Sequence, residues 1–319
     1  MKNVAPKIKQ EMDLITLMDK FGSSEKCRAY LEALRFPNGV FCLRCESKKI
    51  SRIYKRNQFV CDACNYQFSV TVGTIFQDSH LPLQKWFAAI YLMCESRKGI
   101  SANQMKRTLK VAYKTAWYLC HRIREAVKTD DGLLLSGIVE VDETFVGGKA
   151  KNMHKSVKEK KIQGRGSVGK AMVLGAIERG GDVRLVSEKR ADRKTLHAFI
   201  KSQVSPQAEC IMTDDFPAYE GIADADTRHE TVNHSGGEYV RGEVHINGIE
   251  NVWSLFKRSI VGSFHQVSEK HLDRYLDELE FRFNNRNNPY LFRDTLLKLI
   301  NSKNLKYKEL VKDTSLSVS

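Results

Sequence analysis

The stretch "GIVEVDETF", residues 137–145, sets acidic side chains within a run of β-branched and aliphatic residues. Val139 and Val141 predict a buried strand, which on this interpretation ends at Asp142. A carboxylate at the end of an apolar strand is costly to bury unless something positive meets it. The sequence therefore predicts a positively charged partner for Asp142.

The segments after this strand predict a mixed α/β domain of the RNase H type. Their order along the chain is a hairpin, a helix, two strands and an amphipathic helix. The last helix would bury Ile249, Trp253 and Phe256, with Glu250 on another face. These elements are the hairpin at 170–190, which turns at Gly180–Gly181, the helix at 192–204, the strands at 208–219 and 227–234, and the helix at 245–262.

Further acids fall where such a domain would bring them close to Asp142. The strand at 208–219 carries Asp214 and Asp215 at its end, and we choose Asp214 because the apolar run "CIM" leads to it. Glu250 lies on the amphipathic helix. Lys257 follows seven residues later, about two helical turns along the same stripe, where its ammonium group would reach a phosphate.

Acids on two strand ends and one helix suit a divalent ion that prefers oxygen ligands. We predict Asp142, Asp214 and Glu250 as ligands of Mg²⁺ or Mn²⁺, which the sequence does not distinguish. Two such ions, about 4 Å apart, activate an attacking oxygen and stabilise a leaving oxygen during phosphodiester cleavage. Asn247 and Asn251 are the alternatives to Glu250 as the third ligand.

Four cysteines predict a structural zinc site in the first part of the chain. Cys42 and Cys45 form one CxxC pair, and after fifteen residues Cys61 and Cys64 form another. Two such pairs on facing hairpins give a closed tetrahedral Zn²⁺ site that leaves no position for water. A ribbon of this size is expected to depend on its metal for folding.

Basic residues are concentrated in the front of the chain. Residues 1–130 contain 23 Lys and Arg against 11 Asp and Glu, whereas the remainder contains 29 against 27. This asymmetry favours a front that binds a polyanion such as double-stranded DNA. In the ribbon, the predicted phosphate contacts are Lys48, Lys49, Arg52, Lys55 and Arg56.

The region from 82 to 128 has helical periodicity. Ser101 predicts the start of a short helix, and the turn "VAY" at 111–113 precedes a longer one, as in a helix-turn-helix. On the longer helix we predict DNA contacts from Lys114, Arg122 and Arg124. A second basic segment at 147–170, with eight Lys and Arg and one acid, is expected to be a loop that orders on DNA.

In combination these motifs resemble the DDE transposases of bacterial insertion sequences. The likeness is greatest to the subgroup with an N-terminal zinc ribbon that is related to Merlin-type transposases. It extends over roughly residues 20–290, through "CLRC", "CDAC", "VEVDETFVGGK", "MTDDFPAY" and "HINGIENVWSLFKRSIVG". The resemblance implies catalytic acids at Asp142, Asp214 and Glu250, a basic residue at Lys257, and hydroxyl attack on DNA phosphodiesters.

The resemblance also implies how such a protein would act. We expect a multidomain transposase that binds the terminal inverted repeats of its element as a homodimer or larger assembly. Two alternatives stay open: a DNA-binding regulator that has lost the chemistry, and an RNase H-fold nuclease without strand transfer. With no export signal and no apolar run long enough to span a bilayer, we expect a cytoplasmic bacterial protein, with the nucleoid when bound to DNA and without a membrane partner.

The predicted division of the chain has five parts. They are an N-terminal helical arm (1–37), a zinc ribbon (38–78), a helix-turn-helix-like DNA-binding segment (79–130), an RNase H-like DDE catalytic domain (131–290), and a C-terminal helix and tail (291–319).

Overall fold

The computed structural model describes residues 12–129, 132–147, 170–223, 227–233, 236 and 240–312. By its internal contacts the chain forms two compact units, one built from residues 1–127 and 287–319 and the other from 128–286. The C-terminal helices thus pack with the N-terminal unit, and the five-part division of the sequence stays a prediction. Most of the basic segment at 147–170 lies outside the described residues.

The first unit is helical around a small antiparallel ribbon. The ribbon strands pair in the order β1-β2-β3. In sequence order the elements are α1 (Leu14–Phe21), α2 (Ser24–Arg35), β1 (Ile50–Ile53), β2 (Gln58–Cys61), β3 (Gln67–Phe68), α3 (Leu83–Glu95), α4 (Ala102–Leu109), α5 (Tyr113–Val127) and, near the end of the chain, α9 (Leu291–Asn301) and α10 (Tyr307–Val311).

The last long helix completes the core of this unit. Helix α9 packs against α2, α3 and α5. The ring of Phe292 lies 5.9 Å from the rings of both Phe21 and Phe87, and Thr295 Oγ1 lies 3.3 Å from Cys94 Sγ. Aromatic contacts at these separations are favourable beyond the area that they bury. Residues 287–312 are therefore structural members of the first unit.

A tight turn separates the first two strands of the ribbon. Residues 52–61 alternate like a single strand, but the structure interrupts them with a 3₁₀ turn at Tyr54–Arg56. Asn57 follows with φ of 51°, a left-handed conformation that asparagine tolerates better than most residues. The turn folds β1 back onto β2, with Ile53 opposite Gln58.

The second unit is a five-stranded mixed sheet in the order β6-β5-β4-β7-β8. Strands β4, β5 and β6 are antiparallel neighbours, while β4, β7 and β8 run parallel. This is the RNase H-like topology, and it confirms the predicted fold class. The elements are β4 (Ile138–Val146), β5 (Ala171–Glu178), β6 (Val183–Glu188), α6 (Arg193–Gln203), β7 (Cys210–Asp214), β8 (Arg228–Val232), α7 (Asn247–Ser259) and α8 (Leu272–Asn284).

The two faces of the sheet bury different helices. On β4, Val139 and Val141 belong to the core that includes Leu196 and Phe199 of α6. Met212 of β7 belongs to the opposite core, with residues of α7 and α8. Because successive residues of a strand point to opposite faces, the even-numbered residues of β4 lie on the α7 face.

The first strand of the sheet is longer than predicted. The sequence predicts an end at Asp142, but β4 continues to Val146 and pairs with β5 from Val139 to Val146. The antiparallel partner supplies hydrogen bonds beyond the point where apolar alternation fades, so the acid lies within the strand. None of the helices within the described ranges is long and apolar enough to cross a membrane.

Candidate functional site

Asp142 and Asp214 lie on adjacent strands of the sheet. The parallel ladder pairs Ile138 with Cys210 and Glu140 with Met212. Asp142 and Asp214 follow two residues beyond this last registered pair, and Asp214 is the final residue of β7. Both acids have the parity of the residues that face α7, and neighbouring strands are separated by about 4.8 Å. The sheet therefore presents the two carboxylates side by side.

Trp253 of α7 contacts the first of these acids directly. Its indole Nε1 donates a hydrogen bond of 2.8 Å to Asp142 Oδ2. The ring lies over Gly175, the residue of β5 that pairs with Asp142. A Cβ atom at Gly175 would come within 2.5 Å of the Trp253 ring, so only glycine leaves room for this indole. The contact fixes both the ring and one carboxylate oxygen.

The local charge is strongly negative. Burial, together with the neighbouring carboxylates of Glu143 and Asp214, raises the pKa of Asp142 to about 7, while the hydrogen bond from Trp253 opposes the rise. Burial also raises the pKa of Glu143, against a 2.7 Å hydrogen bond donated by the Tyr219 hydroxyl. Carboxylates held together in this way favour a bound cation.

Glu143 differs from Asp142 in its position. Its partner Tyr219 belongs to the core on the α6 side of the sheet. The odd-numbered residue therefore faces away from α7, and the even-numbered Asp142 is the acid that shares a face with Asp214. The role of Asp142 as a catalytic acid stays a prediction, and this parity is consistent with it. Asp215, beyond the end of β7, is exposed.

The third predicted acid is exposed on α7. Glu250 and Lys257 flank Trp253 along the helix, three residues before it and four after it. This spacing places Glu250 and Lys257 on the same stripe of α7 as Trp253, whose indole contacts Asp142. The alternatives Asn247 and Asn251 are exposed as well.

The three acids do not form a closed ligand set. Within the described part of the chain, only the four ribbon cysteines bring three or more His, Cys, Asp or Glu ligand atoms within 4.8 Å of one another. The assignment of Asp142, Asp214 and Glu250 to one centre thus stays a prediction. Their carboxylate oxygens are the donors that Mg²⁺ prefers.

Sequence reasoning missed a partly buried ion pair beside these acids. Glu140, only 1% exposed, accepts hydrogen bonds of 2.8 Å from Arg179 Nε and 3.1 Å from the backbone N–H of Ile249. The second bond ties the carboxylate to the first turn of α7, where the helix dipole favours negative charge. A Cβ atom at Gly248 would meet Glu140 Oε2 at 2.7 Å. The sequence contains one clue to the position of Glu140. It is two residues from Asp142 on one strand, so both side chains lie on the same face of the sheet.

The zinc ribbon brings its four cysteines together. The Sγ atoms of Cys42 and Cys64 are 3.6 Å apart, as are those of Cys45 and Cys61. Sulfur atoms around a tetrahedral zinc ion with bonds of about 2.3 Å are separated by roughly 3.8 Å. The backbone N–H of Arg44 also points to Cys42 Sγ at 3.4 Å. The set fits Zn²⁺, as predicted.

All five basic residues predicted in the ribbon are exposed. Arg52 differs because its guanidinium forms two hydrogen bonds to the Glu32 carboxylate, at 2.9 and 3.0 Å, so it is already partly neutralised. The exposed side chains are Lys48, Lys49, Arg52, Lys55 and Arg56.

Helices α4 and α5 lie where the helix–turn–helix was predicted, but two of the arginines predicted to contact DNA are buried. The Ser101 hydroxyl caps α4 by accepting a 3.1 Å hydrogen bond from Gln104 N–H. On α5, Lys114 is exposed, whereas Arg122 is 3% exposed and Arg124 is 1% exposed. Helical periodicity cannot reveal that these arginines lie on the packed face, and a duplex at the surface cannot reach them.

Two families of protein domain match the chain. Residues 134–284 match the ISXO2-like transposase domain, and residues 22–67 match the transposase zinc-ribbon domain. A protein in the transposable element ISH50 of Halobacterium salinarum is 29% identical over 275 residues, covering 82% of this chain and 91% of that protein. A transposase-like protein of Haemophilus influenzae is 34% identical over 91 residues, covering 28% of this chain and 72% of that protein.

Solved structures show a weaker likeness. A pre-cleavage Mos1 transpososome is 11% identical, covering 66% of this chain and 77% of that chain, with a TM-score of 0.24. An intasome of simian T-cell lymphotropic virus is 15% identical, covering 67% and 73%, with the same TM-score. Similarity at this level does not support an inference about the fold or function of this chain. The fold assignment therefore rests on the strand order of the sheet.

Proposed function

Because the chain belongs to the ISXO2-like family of zinc-ribbon DDE transposases, we propose that it binds the terminal inverted repeats of its insertion sequence and catalyses their cleavage and strand transfer. The observation that supports this proposal is that Asp142 and Asp214 lie on adjacent strands of an RNase H-like sheet, close enough for the charge of Asp214 to raise the pKa of Asp142. Burial and the neighbouring acids leave the Asp142 carboxylate in need of a cation, as its raised pKa indicates.

In this mechanism Asp142, Asp214 and Glu250 would hold Mg²⁺ or Mn²⁺. The ions supply activation of the attacking oxygen and stabilisation of the leaving oxygen. Trp253 keeps Asp142 oriented through its 2.8 Å hydrogen bond. The exposed Lys257 would contact a DNA phosphate near the acids. Each of these roles depends on the position of α7 on the sheet. Glu140 helps to fix that position through its hydrogen bond from the backbone N–H of Ile249.

Binding of the DNA would come from the first unit. Zn²⁺ held by the four cysteines would keep the ribbon folded, so that its exposed lysines and arginines meet the phosphates of the element ends and the target. Synapsis of two ends implies at least a dimer in the DNA complex. A protein with this role on chromosomal DNA would act in the cytoplasm, at the nucleoid.

A strand-transfer assay tests the proposal. Wild-type protein and Asp142→Asn would be incubated with DNA that carries the flanking repeats, a target plasmid and Mg²⁺. We expect joined products from the wild type alone, with equal binding of the repeats by both proteins. Binding without cleavage by the wild type would instead indicate a DNA-binding regulator, and cleavage without joining would indicate a nuclease. Cleavage by Asp142→Asn at the wild-type rate would contradict the site.

A further inference from the structure

A cavity of about 560 Å³ opens beside the start of α5, within the first unit. One wall is a stripe of α5 formed by Lys114, Tyr118 and Arg122, each four residues after the last. The facing walls include Trp86 of α3 and Tyr307 of α10. The volume is within the range of about 300–1,000 Å³ that is usual for small-molecule sites. We call this cavity the α5 pocket.

Arg122 supplies a buried positive charge to the α5 pocket. Its guanidinium lies 5.0 Å from the Trp86 ring centroid and 5.3 Å from that of Tyr118. Nη2 donates to the backbone oxygen of Ile75, to that of Gln77 at 2.7 Å and to Asn304 Oδ1 at 2.8 Å. Nε has no acceptor among the described residues. A buried guanidinium with an unmet donor favours an anion nearby.

A second cation lies at the mouth of the pocket. Lys114 is exposed, and its Nζ is 4.4 Å from the ring centroid of Tyr307. Asp78 is the single acid among the lining residues. Two permanent cations against one carboxylate leave the pocket positively charged. Aromatic faces combined with such cations are the surfaces on which proteins hold unpaired nucleotides.

We propose that the α5 pocket receives one unpaired nucleotide of the bound DNA, with its phosphate at Lys114, its base against Tyr118 and Tyr307, and the charge of Arg122 beneath. This inference rests on the proposed function, because it requires that the protein binds DNA. It also gives a function to the part of α5 that faces the pocket, which a DNA duplex bound at the surface would not occupy. A base that enters the pocket must first unstack from its neighbours in the DNA. Unstacking costs least where the DNA is already single-stranded.

The test compares two DNAs that differ only in their bases. Duplexes of the terminal repeat would carry a single-stranded extension of either normal nucleotides or abasic sites, so that the number of phosphates is equal. Binding by full-length protein would be followed by fluorescence anisotropy. We expect the normal extension to bind roughly tenfold more tightly, since one stacked base contributes about 1–3 kcal/mol and 1.4 kcal/mol is tenfold.

Variants locate the effect. Tyr307→Ala and Tyr118→Leu should each bring the affinity ratio close to one, while Tyr113→Ala, an exposed tyrosine of the same helix outside the pocket, should keep the wild-type ratio. Equal binding of both extensions by the wild type would overturn the inference and leave the proposed function intact. A ratio that persists in both pocket variants would also overturn it. Failure to bind even the fully paired repeat would contradict the proposed function itself.

Discussion

The indole N–H of Trp253 donates a 2.8 Å hydrogen bond to Oδ2 of Asp142, and it thereby joins helix α7 to the central strand of the sheet. This bond favours the ionised carboxylate, in opposition to burial and to two neighbouring acids. A single tryptophan thus affects both the packing of α7 and the charge of the predicted catalytic acid.

Trp253→Phe should shift the acid limb of the pH–activity profile to higher pH. The phenyl ring keeps most of the apolar packing, but loss of the donor removes what lowers the pKa of Asp142. Since a hydrogen bond to a charged group contributes about 1.5–3 kcal/mol, we expect activity near neutral pH to fall roughly tenfold or more. Phe256→Leu, a buried substitution on the same helix, should reduce stability without moving the limb. An unchanged profile for Trp253→Phe would disprove the coupling.

Asp142→Asn should stabilise the metal-free protein at pH 8. The folded pKa of about 7 exceeds the unfolded value of about 3.9, so the folded protein prefers the protonated acid. Stability from this group is therefore greatest below about pH 4 and is lost as pH rises through 7. Removal of the charge should recover at most about 4 kcal/mol, an upper limit for a three-unit shift.

The measurement is thermal unfolding in a chelator across pH 4–8. The gap between Asp142→Asn and wild type should close as pH falls, and added Mg²⁺ should stabilise the wild type alone. Asp215→Asn, at an exposed position, serves as the control and should track the wild type throughout. A variant that is less stable than wild type at pH 8 would refute the charge argument.

Gly175→Ala should destabilise the second unit. Its new methyl group would lie 2.5 Å from the Trp253 ring and 2.9 Å from Ile249, and overpacking of this kind costs about 1–3 kcal/mol. Urea unfolding provides the measurement. Gly262→Ala is the matched control, because nothing lies within 4 Å of its added Cβ atom. Equal midpoints for the two variants would show that the indole does not need this glycine.

Glu140→Gln should also lower stability, by about 3–5 kcal/mol. The change leaves the Arg179 guanidinium without its buried counter-charge, and such half-removed pairs are strongly destabilising. Glu209→Gln removes one partner of an exposed pair with Arg228 and should cost less than about 1 kcal/mol. Chemical denaturation of both variants measures the difference. Similar losses would mean that Glu140 is no more important than a surface charge.

Cys61→Ser should abolish zinc binding by the ribbon and weaken affinity for the element end. Atomic absorption should show the zinc content falling from about one ion per chain to near zero, since three thiolates do not complete the closed site. Cys210→Ser alters a buried thiol of the second unit and should retain the metal. Full end-specific affinity in Cys61→Ser would contradict the role of zinc in DNA binding.

Local patterns allowed much of the fold to be predicted from sequence. The CxxC spacing located the zinc ligands, Gly180–Gly181 located the turn between β5 and β6, and helical spacing identified Trp253 as buried. Each of these features depends on residues that are close in sequence. The order of the sheet followed from the succession of elements, because short connections permit few topologies.

Contacts between distant residues could not be predicted in the same way. The periodicity of α5 shows that it has two faces but not that α9 and α10 pack with the first unit, so it does not reveal that Arg122 and Arg124 are buried. The bonds from Trp253 to Asp142 and from Arg179 to Glu140 join residues far apart in the chain. The convergence of Glu250 with the other two acids stays a prediction for the same reason.

The packing of α9 into the first unit also has a consequence for synthesis. Domains usually fold in turn as the ribosome releases them, but this unit lacks a core helix until residues 291–301 have emerged. Until then Phe21 and Phe87 have no Phe292 to cover them. A product that terminates or changes reading frame before residue 287 would therefore not fold into a stable amino-terminal fragment. Such a fragment would otherwise bind the element ends and block the intact protein.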